Sequence, residues 1–216
     1  MSNDTNANPF EIGNDENERL ALEECVKRHR FDRRVSVLVI PAGRCEQASR
    51  FARLGAHVTV GDQPSMQRDV EGRILAAGLS DDMSFLPCTL DGLPTAMAGE
   101  PYDIIFIRRG LCCMPYDQAR AVVRQLLLKL KIGGKLYISI LGLHSELGQG
   151  YEAGSQPIEQ RYTKLAPELA KKYDIGGPVC LYTERNLFIL LLEAGASVLR
   201  TLTTTYGNVK GVAVRV

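Results

Sequence analysis

Residues 35–62, VSVLVIPAGRCEQASRFARLGAHVTVGD, constrain this chain more than any other stretch. Residues 35–40 are β-branched and almost wholly apolar, as a strand buried on both faces must be. A tight turn, Pro41-Ala42-Gly43-Arg44-Cys45, leads into a helix over 46–54, and Gly55 fits its C-terminal cap. A second strand over 57–60 runs toward Asp62. Nucleotide-binding α/β half-domains read as strand, turn, helix, strand and acid. Asp62 lies nineteen positions after Gly43, near the ~20 residues between a glycine turn and a ribose-binding carboxylate. A carboxylate there can accept both hydroxyl hydrogens of a ribose diol. The plainer alternatives are a tight strand–helix connection at Gly43 and an N-terminal acid for the next helix at Asp62.

The alternation continues downstream. Residues 65–77 read as a helix, 83–88 as a short strand and 102–107 (YDIIFI) as a buried strand. Residues 116–130 read as an amphipathic helix, and 135–141 (KLYISIL) as a fifth strand. Such alternation argues a mostly parallel sheet with helices on both faces. The tail changes character after a helix over 183–194. Strands over 198–203 and 209–216 are joined only by Thr204-Thr205-Tyr206-Gly207-Asn208. So short a link forces antiparallel pairing, because a parallel crossover needs a dozen residues or more. The predicted fold is α/β: a Rossmann-like, doubly wound, mostly parallel sheet ending in an antiparallel hairpin.

Residues 1–34 read as an extension with a leading helix over 16–29, and residues 35–216 as the main domain. The first fifteen residues are Asn/Asp-rich and are expected to be mobile. Arg28, Arg30, Arg33 and Arg34 form a basic knot before the first strand, read as a solvated connector. Residues 144–178 form an insertion with several Gly and Tyr and a helical stretch over 163–173. At this place in the order of elements it is expected to form a lid or substrate wall.

Composition narrows the function. Of 216 residues, 45% are hydrophobic and 24% charged, as in a soluble globular domain. A formal net charge of +1 gives no bulk pull toward nucleic acid or membrane. No apolar run reaches the ~18 residues of a membrane-spanning helix. The six cysteines include no C-x-x-C and the three histidines are isolated, so no metal site is expected. With no signal peptide apparent, a cytoplasmic protein with reduced thiols is expected.

In this order, the pieces resemble the class I S-adenosylmethionine-dependent methyltransferases over roughly residues 33–216. VLVIPAGRC resembles the first motif, VTVGDQ the second, and FLPCTLDGLP the third. YDIIFIRRGLCCMP resembles the fourth strand and its loop, LLLKLKIGGKLYISIL the next helix, turn and strand, and YGNVKGVAVRV the final hairpin. Pro41 and Cys45 stand where the family's first and third glycines fall; only Gly43 is kept. Val39 replaces a frequent acid, and Thr89 another, with Asp91 nearby.

The resemblance implies S-adenosylmethionine as cofactor, a small-molecule acceptor, and cofactor contacts from Pro41, Ala42, Gly43, Asp62, Gln63, Thr89, Leu90 and Arg108. Arg109, Cys113 and Tyr151 are the expected substrate contacts. Arg108 and Arg109 follow the fourth strand and are equally readable as loop charge; Cys112 and Cys113 are more readily read as buried small residues. His144, just past the fifth strand, is the expected catalytic base, since imidazole titrates near neutrality; it is also readable as a cap for the insertion. Glu146 and Tyr162 are further candidates there. The alternative to an enzyme is a catalytically inactive binding or regulatory protein with a protein partner. An NAD-type dehydrogenase lacks its glycines here, and a nucleic-acid methyltransferase fits the near-zero charge poorly.

Overall fold

A computed structural model of the protein describes residues 16–29, 33–93 and 101–216. The expected mobile start, Arg30 and Pro94 lie outside them. Seven strands form one sheet: β1 (Ser36–Ile40), β2 (His57–Asp62), β3 (Met83–Pro87), β4 (Tyr102–Arg108), β5 (Leu130–Ile140), β6 (Ser197–Thr203) and β7 (Val209–Val214). Their order across the sheet is β3-β2-β1-β4-β5-β7-β6. The first five run parallel, and β7 enters antiparallel between β5 and β6. The predicted architecture is the one observed.

Period-2 alternation sorts the strand side chains onto two cores. Val37, Val39, Ile104, Phe106 and Tyr137 face one layer, with α1 (Glu16–His29), α2 (Glu46–Arg53) and α3 (Gln67–Ala76). Leu38, Ile40, Ile105, Ile107 and Ile138 face the other, with α4 (Tyr116–Lys129) and α6 (Glu184–Glu193). The 163–173 stretch is helical only over α5 (Pro167–Lys172). Proline has no N–H to donate and fixes φ, so it fits the first turn and not the interior. β5 also begins five residues before the expected strand, where Leu130 pairs with Tyr102 ahead of a register shift.

Among the described residues, the arginines of the basic knot are ion-paired, while Arg33 and Arg34 stay exposed to solvent. Asp103 on β4 is fully buried. It accepts from Arg33 at 2.8 Å, Lys131 at 2.6 Å, the Ser36 backbone N–H at 3.0 Å and, more weakly, Arg28 at 3.4 Å. Arg34 pairs instead with Asp82. Burial opposes ionisation of Asp103. Hydrogen bonds from Lys131 and Ser36 and the charges of Lys131 and Arg33 outweigh it, holding the carboxyl below the usual range.

Removing one partner of a buried ion cluster strands the others. Asp103→Ala is therefore expected to cost about 3–5 kcal/mol in urea unfolding. A depressed folded pKa gives stability that is present above the unfolded value of about 3.9 and is lost as pH falls through the folded value. The wild-type urea midpoint should drop below about pH 4, and Asp103→Asn should flatten part of that slope.

Candidate active site

The carboxyl ends of β1, β2 and β4 meet at the 41–45 turn, where ligands bind in open parallel sheets. Gly43 takes φ +53° and Cys45 φ +62°, so two left-handed residues turn the chain into α2. Cys45 keeps backbone that glycine would adopt more cheaply, with its side chain in the core. The turn is tied at both ends. The Ala42 N–H donates to Asp62 Oδ2 at 3.0 Å, and Arg73 of α3 donates to the Gly43 carbonyl at 2.6 Å.

Two cavities flank this turn, and Pro41 lines both. The first, of about 390 Å³, is walled by Asp62, Gln63, Thr89, Leu90, Gly110, Cys113 and Tyr162, among others. Asp62 is half-buried. Its second oxygen accepts the Gln63 N–H at 2.8 Å, which fixes the carboxylate and leaves it further acceptor capacity. Gly110 packs closely on Leu90: a Cβ there would meet the end of the Leu90 side chain and displace it.

The second cavity, of about 420 Å³, is lined by Ala42, Gly43, Arg44, Glu46, Gln47, Arg108 and Arg109 over a floor of Val39 and Phe106. Gln47, in the first turn of α2, is only 8% exposed. Neither its amide oxygen nor its nitrogen has a hydrogen-bond partner. Buried polar groups are nearly always paired, so this amide beside the cavity calls for a partner such as an ordered water, an ion or a ligand. Sequence reasoning missed Gln47; its position two residues after the turn was the available signal. Arg109 has φ +61°, and its N–H donates to the Ser139 carbonyl at 2.7 Å. Arg108 pairs with Glu18 of α1 at 2.8 Å.

The insertion reaches the first cavity through Tyr162, whose hydroxyl donates to the Cys113 carbonyl at 2.9 Å. His144 and Tyr151 line neither cavity. His144 is exposed on a turn closed by the Ser145 hydroxyl on the Gly142 carbonyl at 2.7 Å. Tyr151 is buried, its hydroxyl against the carbonyls of Arg161 and Val179, the latter at 2.8 Å. Glu146 pairs with Lys172 and Tyr173. Among the described residues no cluster of His, Cys, Asp or Glu could hold a metal, and no helix is long and apolar enough to cross a membrane.

No family model matches the sequence, and no curated protein matches it. Solved structures do match. An S-adenosylmethionine-dependent methyltransferase from Methanosarcina mazei superposes with a TM-score of 0.67 at 20% identity, over 88% of this chain and 97% of its own. The CcbJ methyltransferase of Streptomyces caelestis gives 0.64 at 14%, over 90% and 89%. Human N-acetylserotonin methyltransferase, solved with S-adenosylmethionine, gives 0.61 at 15%, over 93% of this chain and 52% of its own. The chain has the fold of the class I S-adenosylmethionine-dependent methyltransferases. It spans little more than half the length of several such neighbours.

Cys113 is exposed at this site, while the other five cysteines are buried. A hydrogen bond with Cys112 lowers the Cys113 pKa to about 7; burial opposes the shift, and the Arg109 charge adds to it. Burial pushes Cys25 and Cys88 up to about 11, the charges of Asp103 and Asp62 respectively adding to the rise. Iodoacetamide is expected to alkylate Cys113 first, with a rate that climbs through about pH 7, read by peptide mass spectrometry.

Proposed function

We propose that the chain binds S-adenosylmethionine across the two cavities and transfers its methyl group to a small-molecule acceptor. The observation that carries this reading is the pairing on either side of Pro41: a fixed carboxylate in one cavity and an orphaned amide among arginines in the other. The residues fit the cofactor's two ends. Asp62 offers acceptors to a ribose diol, and Thr89 and Leu90 offer a polar edge and an apolar face to a base. Gln47 has both a donor and an acceptor unused, which suits a carboxylate beside an ammonium. Arg109 and Arg44 favour the carboxylate, and Glu46 the ammonium.

When bound, the cofactor supplies a methyl group on a sulfonium. The chain's own part is to bind, orient and exclude water, so the rate gain comes chiefly from proximity. Small-molecule acceptors are supported by the structural neighbours, one of which is an N-acetylserotonin methyltransferase. A second reading, a cofactor-binding protein without transfer, is favoured by one observation: no histidine lines either cavity among the described residues.

Calorimetric titration with S-adenosylhomocysteine is expected to give micromolar binding. Asp62→Ala and Gln47→Leu should each weaken it about tenfold or more, in line with hydrogen bonds that involve charged groups. Undetectable binding to a folded wild type would refute the proposal. Transfer of labelled methyl to metabolites of a cell extract separates the two readings.

A further inference from the structure

The first turn of α1 lies over the carboxyl edge of the sheet on the side of the second cavity. Asn17 is buried there and donates its amide to the Ile138 carbonyl at 2.8 Å. Glu18 follows, only 4% exposed. One of its oxygens receives Arg108 at 2.8 Å and the other Arg50 of α2 at 3.3 Å. Arg108 closes β4 and is itself in the wall of the second cavity, beside Gln47. A guanidinium has five N–H donors, so it can be held by Glu18 and still serve a ligand oxygen. A long side chain fixed before binding loses less rotamer freedom when the ligand arrives.

We propose that Glu18 is a positioning residue: through Arg108, the first turn of α1 sets the second cavity to receive the charged amino-acid end of its ligand. The inference rests on the cofactor reading above. Glu18 acts through Arg108 and not by its field alone. The amino-acid end of S-adenosylhomocysteine is a zwitterion, so deleting one nearby charge shifts its carboxylate and ammonium in opposite senses.

Two calorimetric probes test this: S-adenosylhomocysteine, and 5′-methylthioadenosine, which lacks the amino-acid end. Glu18→Gln should weaken the first about tenfold, on the scale of a side-chain ordering cost, and leave the second unchanged. In an Arg108→Gln background the same substitution should have no further effect. Equal weakening of both probes means a merely structural role and overturns the proposal, as does an undiminished effect without Arg108. A wild type that binds neither probe removes the cofactor reading, and the clamp is then read directly. Phenylglyoxal should modify Arg108 faster in Glu18→Gln than in the wild type, and equal rates overturn the clamp.

Discussion

The Asp103 carboxylate is the interaction on which the sheet depends. It is fully buried at the start of β4, the strand beside β1 in the middle of the sheet. Its partners come from three places: Arg28 on α1, Arg33 just before β1, and Lys131 on β5. The Ser36 N–H adds the β1 backbone itself. A lone charge in that position would be costly, whereas here several donors satisfy its lone pairs. The cluster thereby fixes the leading helix and both neighbours of β4 at one edge. At the opposite edge the same strand delivers Arg108 and Arg109 to the ligand side. The anchor and the site are two ends of one strand.

Much of this architecture was legible in the sequence because its signals are local. A doubly buried strand announces itself by an apolar β-branched run, as residues 35–40 do. The terminal hairpin followed from a link too short for a crossover. Asp62 was legible as the acid that closes β2, because a strand pattern and a spacing from Gly43 locate it without any tertiary knowledge.

What was not legible depends on partners far away in the chain. Arg33 read as solvated because its partner is remote in sequence: Asp103 lies 70 residues beyond it. Gln47 carries only the signal of its place two residues after the turn, and its unpaired amide is seen only once α2 has buried it beside the second cavity. The insertion was expected at the site, and it reaches the first cavity by Tyr162, with His144 and Tyr151 held apart by a local turn and by the core. Cys45, at the third glycine's position, adopts the left-handed backbone itself. Pro41 replaces the first and becomes the wall shared by the two cavities.

A crystal structure with S-adenosylhomocysteine is the decisive measurement. Electron density is expected to span Pro41, with the ribose hydroxyls on Asp62 and the amino-acid end on Gln47. Density elsewhere on the molecule, or both cavities empty at saturating ligand, would contradict it.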